Sequence, residues 1–158
     1  MKVGFYAGSF DPFTNGHLHV VKRSAELFDK VIIGIGINSN KKRRYHQDTM
    51  KEAIKKLLKR ERLKNVSVII YSNLSIAIAK ENGTTFFIRG IRNGMDYDYE
   101  ENIALINEEL SGIDTIYIRA GKYGAISSNI VTEFMKYGQD VSSLVPPEIY
   151  EVLWELIN

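Results

Sequence analysis

The sequence contains no cysteine. That excludes disulfide staples, thiolate nucleophiles and cysteine-ligated zinc, and it fits a reducing compartment. Long apolar runs are missing as well. The longest, Val31 to Ile37, falls far short of the roughly 20 residues needed to cross a bilayer, so no membrane partner is expected. No signal peptide is expected either, because Gly8 and Pro12 interrupt the apolar stretch that starts at Val3. Two phosphate-loop patterns are absent: G-x-x-x-x-G-K-[ST] throughout, and G-x-G-x-x-G at the first turn. Gly34-Ile35-Gly36 lies inside an apolar strand and needs no nucleotide to explain it. Beyond His17, His19 and His46 have no spacing that suggests a metal site and are expected to be exposed. Net charge is only +2, but it is unevenly spread. Residues 41–64 hold eleven Lys/Arg against three Asp/Glu, a local +8, which leaves −6 for the remainder. Such a basic segment suits an anionic ligand. Lys51 to Lys64 read more plainly as a solvated helix face.

The 158 residues alternate between strand-like and helix-like segments, with no repeat and no linker. Strands are predicted at Lys2–Ala7, Val31–Ile37, Val66–Tyr71, Thr84–Ile88 and Thr115–Ile118. Helices are predicted at His17–Phe28, Asp48–Lys59, Asn73–Lys80, Asp96–Leu110, Ser128–Tyr137 and Pro147–Ile157. In the fourth helix Tyr99, Ile103, Ile106 and Leu110 are expected to form the apolar face, with Asp96 as its cap. Short connections between alternating elements imply one α/β domain over 1–158: a Rossmann-like, five-stranded parallel sheet with helices on both faces. Ligands in such sheets bind beyond the carboxyl ends of the strands. The loops to inspect are therefore Ala7–Gly16, Asn38–Arg44, Arg89–Gly94 and Arg119–Ser127.

The first of these is the most informative. Gly8 permits a sharp turn and close approach of a phosphate to the backbone. His17 falls at or near the start of a helix, where amides and the dipole favour phosphate. Its imidazole could donate to a phosphate oxygen as charge develops, with the Ser9 hydroxyl as a further donor. The bland alternative is a tight structural turn. The second loop ends in Lys41-Lys42-Arg43-Arg44, where Lys41 suits polyphosphate and Arg43 and Arg44 are open between a ligand role and a solvated basic loop. Arg89 follows an apolar strand, where a lone charge is costly. Gly90 would then turn the chain between Arg89 and Arg92, whose guanidinium forks match phosphate. Glu100 could accept from a ribose, help organise magnesium, or be an ordinary helix carboxylate. Ser127 and Ser128 open a helix and could hold phosphate or ribose; a plain cap would account for one of them. No base or covalent nucleophile stands out, so transfer by positioning and charge stabilisation is favoured.

Taken together the motifs resemble a known family. Thr14-Asn15-Gly16-His17 matches the T/H-x-G-H signature of the nucleotidyltransferase superfamily. Gly8 to Pro12, Lys41-Lys42, Arg89 to Arg92, Asp96 to Glu100, Ile126 to Ser128, Asp140 to Ser142 and Leu144 to Pro147 resemble bacterial phosphopantetheine adenylyltransferase over nearly the whole length. The resemblance implies transfer of AMP from ATP to 4′-phosphopantetheine, magnesium as cofactor, a homohexamer, a cytoplasmic location and no nucleic-acid partner. It implies that His17, Lys41 and Arg92 stabilise the transition state. ATP would meet Ser9, Phe10, His17, Gly90, Ile91, Arg92, Glu100 and the stretch Tyr123, Gly124, Ala125, Ile126, Ser127, Ser128, Asn129. The acceptor would meet Ser9, Lys41, Ser75, Arg89 and Asn107. The chain departs from the family pattern at Ala7, Arg43-Arg44, Glu108, Arg119-Ala120, Ala125 and Asn129, mostly near the later ATP-side loop and the acceptor.

The nearest rivals are adenylylation of nicotinamide mononucleotide and cytidylylation of a phosphoalcohol, which share the first loop. A non-catalytic nucleic-acid-binding protein using residues 41–64 is a rival of another class, marked by strongly salt-dependent binding. A transition-state role makes a definite demand: His17→Ala should depress turnover far more than ATP affinity. Equal losses in single-turnover rate and in ATP binding would contradict that role.

Overall fold

The computed structural model describes residues 1–156. Its elements run β1 (Val3–Gly8), α1 (Asn15–Leu27), β2 (Lys30–Gly36), α2 (Gln47–Arg60), β3 (Val66–Tyr71), α3 (Ser75–Glu81), β4 (Phe86–Ile91), α4 (Gly94–Ser111), β5 (Asp114–Arg119), a 3-10 turn at Gly121–Tyr123, α5 (Ser128–Lys136) and α6 (Pro147–Tyr150). The five strands form one parallel sheet in the order β3-β2-β1-β4-β5. The connections wind one way from β1 through β2 to β3 and the other way to β4 and β5. The reversal lies between β1 and β4, and a crevice opens at their carboxyl ends.

Alternation along the strands builds a core on each face. Tyr6, Ile33 and Ile35 pack with Val21 of α1, Ile54 and Leu57 of α2, Val131 of α5 and Ile149 of α6. On the opposite face Val3, Phe5, Ile32 and Phe87 pack with Ala79 of α3 and with Ile113. Gly34 faces this second layer: a Cβ there would come 2.5 Å from the Phe5 ring and 2.9 Å from the ring of Tyr71.

The elements agree with the sequence-based expectation in kind and order, and three differ in ways that matter. Strand β4 continues through Arg89, Gly90 and Ile91, pairing with Tyr117, Ile118 and Arg119. Gly90 is therefore a strand residue and no turn; a side chain there would meet Val20 at 3.0 Å. Helix α4 presents the opposite stripe to that expected. It buries Glu100 and Ala104, while Tyr99, Ile103, Ile106 and Leu110 are exposed. Its cap is Asn93, which accepts from the Asp96 amide, so Asp96 is free for another partner. The last predicted helix shortens to four residues followed by turns, and Ile157 lies outside the described residues.

The glycine contacts set up a comparison. Gly34→Ala should destabilise by about 1–3 kcal/mol through overpacking. Gly94→Ala, with nothing within 4 Å of the added carbon, should stay within about 0.5 kcal/mol of the parent. Urea midpoints of the two variants check this, and a neutral Gly34→Ala would refute the packing account.

Candidate active site

Helix α1 begins at Asn15, so His17 is its third residue and its place is set by a capping box. The Thr14 hydroxyl accepts from the His17 amide at 3.3 Å, while the Thr14 amide donates to His17 Nδ1 at 2.9 Å. Histidine takes the part that Glu or Gln usually plays in this motif. The T-x-G-H spacing thus has a local physical meaning. Thr14 caps and His17 reciprocates, while a Cβ at Gly16 would meet Thr14 Oγ1 and the Ile126 and Tyr123 carbonyls only at ordinary contact distances, so packing alone does not demand that glycine. The helix end offers fewer free amides than expected, because the Asn15 amide is bonded to the Leu144 carbonyl.

The Thr14 bond also fixes the imidazole tautomer. A backbone amide can only donate, so Nδ1 is the acceptor and Nε2 carries the proton. The ring is enclosed by Tyr6, Phe10 and Phe13, with the Phe10 centroid at 4.9 Å. Burial, reinforced by the Arg89 and Arg92 cations, pushes the His17 pKa down to about 3. His17 is therefore a neutral donor through Nε2 at physiological pH. Phe10 lines the same cavity, but its ring is buried and its φ is +47°. That left-handed conformation is costly for a non-glycine residue and is held by the aromatic cluster.

Three cavities meet around Gly8 and Ser9. The central one, about 260 Å³, is lined by Ser9, Phe10, His17, Gly90, Arg92, Glu100, Tyr123, Ile126, Ser127 and Ser128 among others. A second, about 460 Å³, shares Ser9, Ser127 and Ser128 with it and adds Lys41, Lys42 and Asn129. A third, about 220 Å³, shares Ala7, Gly8, Arg89 and Glu100 with it and adds Ser75 and Asn107. Lys41 thus lies beside the His17 cavity and not in its wall. Ile91, Gly124 and Ala125 line none of the three; the Ile91 carbonyl is bonded to the Ala120 amide, and Ala125 is exposed.

The cations divide into held and free. Arg89 donates through Nε and one terminal nitrogen to Glu100, both at 2.7 Å, and through the other to the Ala7 carbonyl. Burial alone would lower its pKa, but the bonded Glu100 carboxylate outweighs that and raises it. Arg92 is forked onto Asp96 at 2.8 and 3.1 Å, and this bonding holds the Asp96 carboxyl below its usual range. Exposed pairs of this kind contribute only about 0–1 kcal/mol, so an incoming phosphate can recruit Arg92 at small cost.

Arg43 and Arg44 are both tied to the protein while also lining the second cavity. Arg43 donates to the Ser9 and Tyr45 carbonyls, and Arg44 to the Asp11 carbonyl and the Asn129 side chain. The Asp11 carboxylate takes the Arg44 and Tyr45 amides. Among the described residues Lys41 and Lys42 make no salt bridge, and both are exposed. Ser127 caps α5 by accepting from the Ile130 amide, and Ser128 donates to the Pro12 carbonyl at 2.7 Å. Both serines have internal roles, and both also face two cavities.

The other histidines are explained locally. His19 is half-buried against Tyr123, and exposed His46 caps α2. No group of three or more metal-ligating side chains occurs among the described residues. Sequence reasoning missed the partners: Thr14 as reciprocal cap, Asp11 as loop anchor, and Asp96 as the counter-ion of Arg92. Only the first had a readable signal, the T-x-x-H capping spacing.

The tautomer assignment is open to nuclear magnetic resonance. His17 should keep the shifts of a neutral Nε2–H imidazole from pH 8 to below pH 5. Because the folded value lies below the ordinary 6.5, the unfolded chain binds a proton here that the folded chain does not. Stability should therefore fall as pH drops from about 6.5 toward 3, and fall less in His17→Gln. A ring that titrates near pH 6.5 in the folded protein would contradict the geometry.

A model of the cytidylyltransferase-like family matches residues 5–134. The chain is 39% identical over 145 residues to phosphopantetheine adenylyltransferase of Porphyromonas gingivalis, covering 91% of this chain and 94% of that one. It is 43% identical over 150 residues to the Campylobacter jejuni enzyme of the same name, covering 94% of each. Among solved structures, a bifunctional NMN adenylyltransferase/ADP ribose pyrophosphatase from Francisella tularensis superposes with a TM-score of 0.73 at 17% identity, over 98% of this chain and 48% of that one. That likeness speaks for the fold, and the sequence matches speak for the family. With the T-x-G-H capping box and the three confluent cavities in place, the chain belongs to the cytidylyltransferase-like nucleotidyltransferases and, within them, to the phosphopantetheine adenylyltransferase family.

Proposed function

We propose that this protein transfers AMP from ATP to 4′-phosphopantetheine, releasing pyrophosphate and forming dephospho-CoA for coenzyme A biosynthesis. The observation that carries the reading is the wall shared at Ala7, Gly8, Arg89 and Glu100. It sets the chamber holding His17 and the α5 start directly beside one holding Ser75 and Asn107. Two substrates entering from either side would meet beside the Nε2 proton of His17.

In this reading ATP lies in the central chamber against Phe10, Gly90, Tyr123 and the Ile126–Ser128 start of α5. Its outer phosphates reach Ser127, Ser128, Asn129 and Lys41 in the neighbouring cavity. A phosphate oxygen of the acceptor, near Ser9 and Arg89, attacks the α-phosphorus. A new P–O bond forms in line as the bond to the bridging oxygen breaks, and pyrophosphate leaves with the electron pair. The acceptor phosphate is already anionic, so no protein base is required. His17 donates to a non-bridging α-phosphate oxygen, while Arg92, exchanging Asp96 for phosphate, and Lys41 offset the accumulating charge. Glu100, already committed to Arg89, acts as its positioning partner and borders both chambers.

Magnesium enters the reading with the nucleotide. The carboxylates of the central chamber, Asp96 and Glu100, are engaged by arginines, so the side chains do not build a cage for it. Magnesium is commonly held by phosphate oxygens and water, and no step above depends on a protein-bound ion. The homohexamer remains part of the proposal. It is supported by the apolar side chains that α4 leaves exposed, among them Met95, Tyr99, Leu105, Ile106 and Leu110, a larger apolar surface than a monomer needs. A cytoplasmic location belongs here too; no helix among the described residues is long and apolar enough to cross a membrane.

Purified protein with Mg-ATP should release pyrophosphate when offered phosphopantetheine, and much less with nicotinamide mononucleotide or glycerol phosphate. No release with phosphopantetheine would overturn the assignment, and preference for one of the others would redirect it within the superfamily.

A further inference from the structure

The glycines of β2 do more than make room for the core ring of Phe5: they also clear the path of a tyrosine from the neighbouring strand. Gly34 and Gly36 lie on the sheet face that carries Tyr71; Gly36 is its partner in the β2–β3 register, and Gly34, opposite Ile69, is one step back on the same face. A Cβ at Gly34 would come 2.9 Å from Tyr71 Cε1, and one at Gly36 would come 3.1 Å from the Tyr71 hydroxyl. Tyr71 therefore lies across β2 over a floor of two bare backbone positions. Its ring reaches edge-on to Phe5 of β1, centroid to centroid 5.8 Å. The ring could not lie there if β2 carried side chains at those positions. Lying there, it brings its hydroxyl to the wall of the 220 Å³ cavity, 2.9 Å from Ser75 Oγ at the start of α3.

We propose that Tyr71 is a specificity-determining residue for the acceptor, its hydroxyl, oriented by Ser75 and held over Gly34 and Gly36, bonding to the outer amide of the acceptor's arm, the one nearer the thiol end. The inference rests on the adenylyl-transfer reading above and deepens it. The chemistry favours an amide over a purely apolar tail. Two hydroxyls bonded to one another have one proton and several lone pairs left between them. They can donate to a carbonyl or accept from an N–H, while Phe87, Ile103 and Ala104 offer the same cavity an apolar wall for the methylenes on either side. Arg89, in the same wall, is tied to Glu100 and Ala7 and is suited to the phosphate end. Tyr71 and Asn107 are left for the arm.

The test compares Tyr71→Phe and Ser75→Ala with the parent, on phosphopantetheine and on 4′-phosphopantothenate, which lacks the terminal amide-bearing arm. In Tyr71→Phe, KM for phosphopantetheine should rise about tenfold, the loss of one neutral hydrogen bond. KM for ATP and kcat should stay level, and kcat/KM for the truncated acceptor should be unchanged. Ser75→Ala should give a smaller effect in the same direction. Equal losses on both acceptors, or none on either, would overturn the inference while leaving the transferase reading intact. Calorimetric binding of phosphopantetheine reads the same differences without turnover. A parent that binds it, loses affinity in Tyr71→Phe and yet makes no pyrophosphate would overturn the reaction and keep Tyr71. A parent that does not bind it overturns both.

Discussion

The contact on which the site most depends is the forked pair between Arg89 and Glu100. It joins the end of β4 to the buried side of α4, and through the Ala7 carbonyl it also reaches the end of β1. Glu100 is buried, while Arg89 keeps about a third of its side chain exposed toward the cavities it borders. Removing Arg89 would leave a buried carboxylate without its partner, which is strongly destabilising; removing Glu100 would release a part-exposed cation at smaller cost. The pair is also a partition. It stands where the central chamber meets the smaller one, so one cation borders both substrate spaces while its geometry is fixed by the protein. Arg92 is the counterpart on the outer rim. The same chemistry, a guanidinium forked onto a carboxylate, is exposed there and can be exchanged.

Much of this was legible in the sequence, and the limits were physical. The first three strands are apolar runs bounded by turns, and their parallel order follows from the helices between them. The end of β4 was misplaced because Gly90 looked like a turn residue, whereas it is a strand position cleared for Val20. On α4 the periodicity showed an apolar stripe correctly but could not say which side faces the sheet. The helix turns a carboxylate inward because a partner eleven residues earlier demands it, and leaves its apolar stripe outside. The basic tetrad was split the same way. Among the described residues Lys41 and Lys42 make no salt bridge, while Arg43 and Arg44 reach the Ser9 and Asp11 carbonyls and the Asp11 carboxylate, more than thirty residues away in sequence.

Two departures from the family pattern also find one another. Arg44 belongs to the Arg43-Arg44 departure and Asn129 is another; their side chains are hydrogen-bonded. The bond links the loop after β2 to the first turn of α5, across the cavity that also carries Lys41. Glu108, another departure, is exposed and lines none of the three cavities, so it bears little on the acceptor. The departures thus separate into a coupled pair at the phosphate side, two small residues in the chamber walls, Ala7 and Ala120, and others, Glu108, Arg119 and Ala125, that line none of the three cavities.

The capped imidazole has a consequence for how such an enzyme meets its surroundings. A catalyst whose key side chain takes up and releases protons near neutrality is tied to the acidity of the cell. Here that side chain has been removed from the titration: one nitrogen is committed to the Thr14 amide and the ring sits among aromatic neighbours. In the proposed reaction, ionisation near neutrality is left to the phosphates of the substrates, the acceptor's losing its second proton at a pH of about 6. A mild acidification would act on the supply of competent nucleophile before it protonated the His17 ring.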